Sequence, residues 1–150
     1  MDFHIRKATP ADAEALCGLY LNHLVKTPIK HPQDLTPWRE KLFRFAANPF
    51  YNILVLETEH TVVSTVTLVI VENLTHDMRP YALIENVVTH HAHRGKHYAS
   101  ALIRRACEIA AENNCYKVML LTGSKQESTL RFYENCGFDR HAKTAFLRRL

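Results

Sequence analysis

The segment that most constrains the fold is VVTHHAHRGKHYASALIRRA, which covers Val87–Ala106. It begins with β-branched residues, becomes basic around one glycine, and continues with apolar residues at the spacing of an amphipathic helix. We therefore expect a strand over Ala82–Thr89 and a helix over about Tyr98–Asn113, and the apolar run KVMLLT (Lys117–Thr122) predicts a second strand. Two strands separated by one helix form a βαβ unit, so they should be parallel and joined by a right-handed crossover.

The rest of the chain predicts antiparallel strands and further helices around this unit. YNILVLET and TVVSTVTLVIVEN are joined by a turn near Glu59–His60, which is typical of a β-hairpin. Thr9 and Thr36 each precede a proline, so they are expected as N-caps of two earlier helices. The sequence also predicts a strand at Phe3–Lys7, a helix at Gln126–Cys136 and a last strand at Thr144–Arg149. The resulting order, β-α-α-β-β-β-α-β-α-β, predicts an α/β fold (an α+β mixed sheet) with helices on both faces.

Composition limits the class of protein. A chain of 150 residues, with 47% hydrophobic and 23% charged residues, is expected to form a single domain, residues 1–150. The N-terminus lacks an apolar segment of signal-peptide length, and the longest apolar run, Val62–Val71, is too short to span a bilayer. We therefore expect a cytoplasmic protein without a membrane partner. The four cysteines show no C-x-x-C spacing, which predicts reduced thiols rather than structural zinc.

The basic turn between the predicted strand and helix is a candidate anion site. Four histidines, Arg94 and Lys96 lie within His90–His97, and the N–H groups at a helix N-terminus attract anions. Arg94 can bind a phosphate with its planar guanidinium, Lys96 or His97 can reach a second one, and Gly95 allows a sharp turn. The alternative is an ordinary βα turn with solvated charges. The net charge of +4 suits an anionic ligand without requiring nucleic acid.

Two other kinds of ligand are disfavoured at this turn. His90, His93 and His97 have the i, i+3, i+7 spacing of one helix face, but they lie in a strand end and a glycine turn. We therefore expect no metal. Nucleic-acid binding would need aromatic residues interleaved with the basic ones, and only Tyr98 is nearby, so no nucleic-acid partner is expected either.

Two motifs resemble signatures of one family. RGKHYA (Arg94–Ala99) resembles the Gln/Arg-x-x-Gly-x-Gly/Ala loop of the GCN5-related N-acetyltransferases, the GNAT superfamily. LRFYENCGF (Leu130–Phe138) resembles its second signature, a helix with a tyrosine followed by a Gly-Phe turn, and the element order fits over about residues 3–149. His97 stands where the loop usually has its first glycine. The resemblance implies the GNAT acyl-CoA N-acyltransferase fold, acetyl-CoA as co-substrate, and acetyl transfer to an amine without a metal.

The resemblance also implies a set of cofactor-binding residues. The backbone of the strand before the loop would pair with the pantetheine arm, and N–H groups of the loop and helix start would bind the pyrophosphate. Gln126 falls where many relatives carry an asparagine, and Ser128 or Thr129 could supply that polar contact instead. The matching positions are Val87, Val88 and Thr89 on the strand, Arg94, Gly95, Lys96, His97, Tyr98, Ala99 and Ser100 in the loop and helix start, and Gln126.

The implied reaction is direct attack of an amine on the thioester, which requires a proton acceptor and a proton donor. Tyr133 matches the family's tyrosine at the sulfur, where a phenol can donate a proton to the thiolate; the alternative is a core aromatic residue. Glu85 is the expected base and should share a strand face with Val87 and Thr89 by alternation. One alternative is that Glu85 is only a solvated charge at a strand end, and another is that His90 or His91 acts as the base.

The expected acceptor is a small primary amine or an aminosugar, bound between the loop Val25–Thr36, the turn Glu72–Pro80 and the segment near Gly123. CYKVMLL and FYENCGF also resemble the glucosamine-6-phosphate N-acetyltransferases, although LLTGSKQES lacks their acidic residues. A protein N-terminus or lysine is an alternative acceptor, and a non-catalytic module that senses acetyl-CoA is an alternative of another class.

A homodimer is also compatible with the sequence, since the last strand, FLRRL, could pair or exchange with that of a second copy.

Overall fold

The structure, a computed structural model, describes residues 2–25 and 34–150. Its strands are β1 (His4–Lys7), β2 (Tyr51–Thr58), β3 (Thr61–Val71), β4 (Tyr81–Thr89) and β5 (Val118–Leu120). They form a five-stranded sheet in the order β1-β2-β3-β4-β5. Strands β1 to β4 are antiparallel to their neighbours and β5 is parallel to β4, so the predicted mixed α/β fold is confirmed.

Helices cover this sheet on both faces. They are α1 (Ala13–Leu19), α2 (Thr36–Ala46), the four-residue α3 (Thr75–Met78), α4 (Tyr98–Glu112) and α5 (Glu127–Asn135). A 3-10 turn at Pro10–Asp12 leads into α1, after the predicted cap Thr9, and a π-helical turn at Tyr20–Leu24 follows it. Thr36 is the first residue of α2 rather than its cap, because its N–H donates a 2.9 Å hydrogen bond to Oδ1 of Asp34, which precedes the helix.

The predicted hairpin and the predicted βαβ unit are both present. Glu59 and His60 connect β2 to β3 with positive φ angles of 49° and 59°, as two-residue hairpin turns require. Beyond α4, β5 pairs in parallel with β4 at Ala82–Ile84. The chain therefore crosses from one strand of the parallel pair to the other through α4.

Both faces of the central strands are buried. Val66 and its neighbours Thr65 and Thr67 are each at most 1% exposed, so β3 is covered on both sides. Alternate residues of β2 enter two separate cores. The core under α4 and α5 includes Leu54, Leu56, Leu68, Ile84, Leu102 and Ile103, and the core under α1 and α2 includes Leu16, Leu42, Ile53 and Val55.

The predicted last strand over Thr144–Arg149 is wrong. This segment contains no strand, and its Phe146 and Leu147 are 92% and 72% exposed. Just before this segment, Arg140 forms an ion pair of 2.6 Å with Glu134, which holds the chain against α5. A strand needs a hydrogen-bonding neighbour, and β5 is only three residues long, so this chain's sheet ends there among the described residues.

Most of the predicted acceptor loop Val25–Thr36 lies outside the described residues, which omit 26–33. Within the two described ranges, no helix combines the length and the apolar character needed to cross a membrane.

Candidate active site

The parallel strands β4 and β5 separate at the middle of β4. Their pairing runs from Ala82–Val118 to Ile84–Leu120, where β5 ends, while β4 continues to Thr89. In the described chain, the last residues of β4 therefore have no strand beside them on this edge. An unpaired strand edge offers backbone N–H and C=O groups to an extended ligand.

A β-bulge interrupts β4 just beyond this point. Thr67 of β3 pairs with Glu85 and Thr65 pairs with Val88, so Asn86 and Val87 lie opposite a single β3 residue. Asn86 has a φ of 53°, inside an otherwise extended strand. One extra residue reverses which side of the sheet the following side chains face.

The bulge makes one sequence-based expectation wrong. Glu85 pairs with Thr67, on the side of the sheet covered by α1 and α2, whereas Val87 packs in the core under α4 and α5. Thr89 lies on the same side as Val87, and its hydroxyl is 2.7 Å from that of Ser64. Glu85 therefore does not share a face with these two residues, because strict alternation fails at a bulge. Its side chain is exposed.

The turn after β4 prepares the N-terminus of α4. Gly95 has a φ of 76° and His97 has a φ of 61°, so both residues are left-handed. The first backbone hydrogen bond of the helix runs from Ala101 N–H to the His97 carbonyl at 3.0 Å. Earlier N–H groups of an α-helix have no intrahelical acceptor, and together with the helix dipole they favour an anion at this end.

A cavity of about 560 Å³ lies between this turn, α4 and α5. Among the described residues, no acidic side chain lines it. The cationic side chains are Arg94 from the turn, Arg104 from α4 and Arg131 from α5. Arg131 also pairs with Glu127 at 3.1 Å, so its charge is partly offset. The cavity therefore combines a helix N-terminus with three guanidinium groups.

The cavity brings together seven of the eleven residues predicted to bind the cofactor, namely Thr89, Arg94, Gly95, His97, Tyr98, Ala99 and Ser100. Tyr98 is buried at 3% exposure and packs edge-on against Phe3, so its ring belongs to the core. The other four predicted residues, Val87, Val88, Lys96 and Gln126, do not line the cavity. Gln126 precedes α5, where its carbonyl accepts hydrogen bonds from the first turn.

Sequence reasoning named Ser128 but missed Arg131 and Asn135 on the same face of α5, and it missed Arg104 of α4. Ser128, Arg131 and Asn135 recur at i, i+3 and i+7, and all line the cavity. Arg104 follows Ser100 by one helical turn, so it projects to the same side of α4. These spacings are visible in the sequence, but they identify a site only once the two helices are known to face each other.

Tyr133 lies on α5 and is half-buried against the core under α4 and α5. Burial raises the pKa of its hydroxyl, and the charges of Cys136 and Glu85 raise it further. Glu85 of β4 is therefore close enough to Tyr133 of α5 for its charge to affect the phenol. In the described parts of the chain, the Tyr133 hydroxyl has no hydrogen-bond partner.

His90, His93 and His97 do not form a common ligand set. His93 and His97 line the cavity, whereas the ring of His90 lies against that of His23, with centroids 4.4 Å apart. Burial lowers the pKa of both His23 and His90, and positive charge nearby, including that of Arg94, lowers it further. The two facing rings are therefore neutral at pH 7.

Taken together, these features define an α/β protein with a basic cavity at the point where its parallel strands separate. The model of the acetyltransferase (GNAT) family matches residues 19–138 of the chain. The chain belongs to this family of acetyltransferases. The structure of a protein from Agrobacterium tumefaciens, described as an acetyltransferase, is 40% identical in sequence and superposes with a TM-score of 0.84, covering 98% of this chain and 99% of that one.

The chain is also similar to two glucosamine 6-phosphate N-acetyltransferases, one in sequence and one in fold. The enzyme from Candida albicans is 27% identical over 89 residues, which are 59% of this chain and 58% of that enzyme. The match therefore spans less than two thirds of that relative. The structure of the enzyme from Arabidopsis thaliana is 20% identical and covers 100% of this chain and 99% of that one, with a TM-score of 0.81. At 20% identity, the similarity to the Arabidopsis thaliana enzyme is a similarity of fold.

Proposed function

We propose that residues 1–150 act as a single cytoplasmic N-acetyltransferase domain that transfers the acetyl group of acetyl-CoA to the amine of a small molecule. The observation that carries this proposal is the basic cavity beside the unpaired end of β4. Its guanidinium groups and the N-terminus of α4 suit phosphates, and the strand edge suits an extended arm that contains amides.

The dimensions and chemistry of the cavity fit acetyl-CoA. Its volume of about 560 Å³ lies within the usual range for small-molecule sites. Arg94, Arg104 and Arg131 would bind the phosphate groups, and the backbone of Val87–Thr89 would pair with the pantetheine arm. His97 is exposed at the rim, so its side chain leaves the N–H groups behind it accessible.

The chain would contribute a proton acceptor and a proton donor. Acetyl-CoA supplies a thioester carbon for attack by the amine. An alkyl amine has a pKa of about 10, so it must lose a proton before attack at neutral pH, and Glu85 would accept that proton. As the carbon–sulfur bond breaks, Tyr133 would donate its phenolic proton to the departing sulfur, and the second proton that the nitrogen releases would restore the neutral phenol. This phenol is protonated at neutral pH, since its pKa is usually about 10 and burial raises it further.

The acceptor class we favour is a small primary amine or an aminosugar. The similarity to the Candida albicans glucosamine 6-phosphate N-acetyltransferase supports an aminosugar phosphate as the first compound to test. A protein N-terminus or lysine is the second candidate, for which an exposed Glu85 offers an accessible base. A sensor that binds acetyl-CoA without turnover is the candidate of a different class.

The deciding experiment compares Tyr133→Phe with the wild-type chain. Thermal unfolding with acetyl-CoA, with 3′-dephospho-CoA as a control, measures binding, and thiol release with a panel of amines measures turnover. We expect the variant to keep acetyl-CoA binding within about threefold and to lose about 100-fold or more in turnover, the usual contribution of a general acid. Tyr116→Phe, a tyrosine stacked on His76 away from the cavity, is the matched control.

Three outcomes would separate the candidates. Stabilisation by acetyl-CoA without turnover on any amine or peptide would support the sensor. Turnover on peptides alone would support a protein acetyltransferase. No stabilisation at millimolar acetyl-CoA would contradict the proposed function as a whole.

A further inference from the structure

Three histidines from two distant parts of the sequence converge beside the turn that follows β4. His23 comes from the π-helical turn Tyr20–Leu24, and His90 and His91 come directly after β4. The ring centroid of His23 is 4.4 Å from that of His90 and 5.1 Å from that of His91. One ring nitrogen from each of the three lies within 4.8 Å of the other two.

The backbone holds these side chains from both directions. His90 N–H donates a 2.9 Å hydrogen bond to the carbonyl of Val63, which fixes the end of β4 to β3. A π-helical turn inserts extra backbone into a helix and is often found at functional sites. Here it brings His23 over the end of β4. His23 and His90 are half-buried and His91 is exposed, so the cluster is open to solvent on one side.

We propose that His23, His90 and His91 bind one divalent transition-metal ion, with zinc as the best match. Three imidazoles with a fourth position left for water form a common zinc site, whereas magnesium and calcium prefer oxygen ligands. The site is separate from the cavity proposed for acetyl-CoA, and its metal would link the π-helical turn to the turn before α4. The sequence-based expectation of no metal rested on a different trio of histidines.

Metal binding requires the three histidine rings to move slightly, which their partial or full exposure permits. Zinc–nitrogen bonds of about 2.0–2.1 Å bring tetrahedral ligand atoms to about 3.3 Å from one another, so the rings must move closer. The Nδ1 atom of His90 accepts a 3.2 Å hydrogen bond from Ala92 N–H, a long bond that a metal at this nitrogen would replace. The positive charge of Arg94 repels a cation, so the three metal–nitrogen bonds must contribute more to the binding free energy than this repulsion removes.

The test is zinc titration of the full chain after metal removal with a chelator. Calorimetry gives the stoichiometry and affinity, and cobalt, which gives visible absorption bands when bound in a tetrahedral site, identifies the ligand class. We expect one zinc per wild-type chain, a higher midpoint of thermal unfolding with zinc, and a cobalt spectrum without thiolate bands. Because the chain has ten histidines and four cysteines, matched variants must separate this cluster from other sites.

His23→Gln and His91→Gln should each weaken zinc binding by more than tenfold, since even the loss of a residue that only orients a ligand typically costs about 10–100-fold. His141→Gln, at an exposed position outside the cluster, should leave binding unchanged. The chelator-treated variants should unfold at the same temperature as the chelator-treated wild type. Equal affinity in the wild type and both cluster variants, equal loss in His141→Gln, or thiolate bands in the cobalt spectrum would each overturn the proposal.

Discussion

The Ser100 hydroxyl donates a 2.8 Å hydrogen bond to the carbonyl of His97, across the point where the chain enters α4. His97 is the last residue before the helix and is left-handed, with a φ of 61°. This hydrogen bond ties the strained residue to the first turn of α4. It therefore helps to fix the N–H groups that we propose as the pyrophosphate site.

Replacing His97 with glycine should stabilise the protein slightly. Relieving the left-handed strain of a residue with a side chain should stabilise the folded state by about 1–2 kcal/mol. The greater flexibility of glycine in the unfolded chain should cancel about 0.5–1 kcal/mol of this stabilisation. We expect the midpoint of thermal unfolding to rise by about 1–4 °C. Lys96→Gly is the control, because Lys96 has no positive φ angle to relieve, and it should lower the midpoint. A lower midpoint for His97→Gly would contradict this explanation.

Arg104→Gln should weaken acetyl-CoA binding by about tenfold or more. Arg104 lines the cavity, and a hydrogen bond to a charged group typically contributes about 1.5–3 kcal/mol. Arg105→Gln is a close control, because it removes the same charge from the next residue of α4. Arg105 pairs with Glu108 and Glu112 instead. Calorimetric titration at two salt concentrations measures both variants, and equal losses in the two would point to a general charge effect.

Asp12→Asn should reduce stability in a pH-dependent way. Burial alone would raise the pKa of Asp12, but hydrogen bonds from Arg6, at 2.8 Å, and from Thr9 outweigh it and lower the pKa. The carboxylate therefore contributes stability above its unfolded pKa of about 4, and that contribution is lost as the pH falls through the lower folded pKa. Urea unfolding at pH 7 should show a loss of about 1–3 kcal/mol.

The same measurement at lower pH checks the sign of the effect. The stability difference between wild type and Asp12→Asn should shrink as the pH falls below about 4, since the wild-type carboxylate then becomes neutral. Glu14→Gln, an exposed acid at the start of α1, should change stability little at either pH. A difference that stays constant with pH would mean that the carboxylate charge of Asp12 is not the stabilising feature.

The proposed role of Tyr133 predicts the alkaline side of the pH–rate profile. Burial raises the pKa of this phenol above its usual value of about 10, so the proton donor remains protonated below that pH. We expect turnover not to fall between pH 7 and pH 10 and to decline only above it. Initial rates corrected for spontaneous thioester hydrolysis provide the measurement. A decline with a midpoint near pH 8 would identify a different proton donor.

Removal of residues 145–150 should abolish self-association without unfolding the chain. Phe146 and Leu147 are 92% and 72% exposed, and apolar residues exposed together favour association with a partner. We expect the full chain to sediment as a dimer and the truncated chain as a monomer with unchanged acetyl-CoA binding. Phe43→Ser, which removes an exposed aromatic side chain from α2, is the control. A full chain that sediments as a monomer would contradict this expectation.

Much of the fold could be predicted because its signals are local. The turn at Glu59–His60, the start of α4 at Tyr98 and the parallel pairing of β4 with β5 follow from patterns that span a few neighbouring residues. Asn114 adopts the left-handed conformation just beyond α4, with a φ of 58°, as asparagine often does at the end of a helix. The predicted strand over Thr144–Arg149 failed because a suitable pattern forms a strand only beside an available edge.

The candidate site could be predicted only in part, for a related reason. The basic turn around Arg94 is contiguous in the sequence, so its position at a helix N-terminus was visible there. The bulge at Asn86, which turns Glu85 away from the face of Val87, was not visible, since two polar residues, Glu85–Asn86, followed by two β-branched ones, Val87–Val88, do not specify which face each side chain takes.

The sequence by itself therefore determined the order of the elements up to α5, the basic character of the turn before α4 and the family motifs that flank α4 and β5. Only the tertiary structure decided that Arg104 and Arg131 line one cavity and that His23 lies against His90. Hydrophobic periodicity and turn chemistry act between neighbours along the chain and are encoded locally. Contacts between distant segments depend on how the helices pack on the sheet, which no short segment specifies.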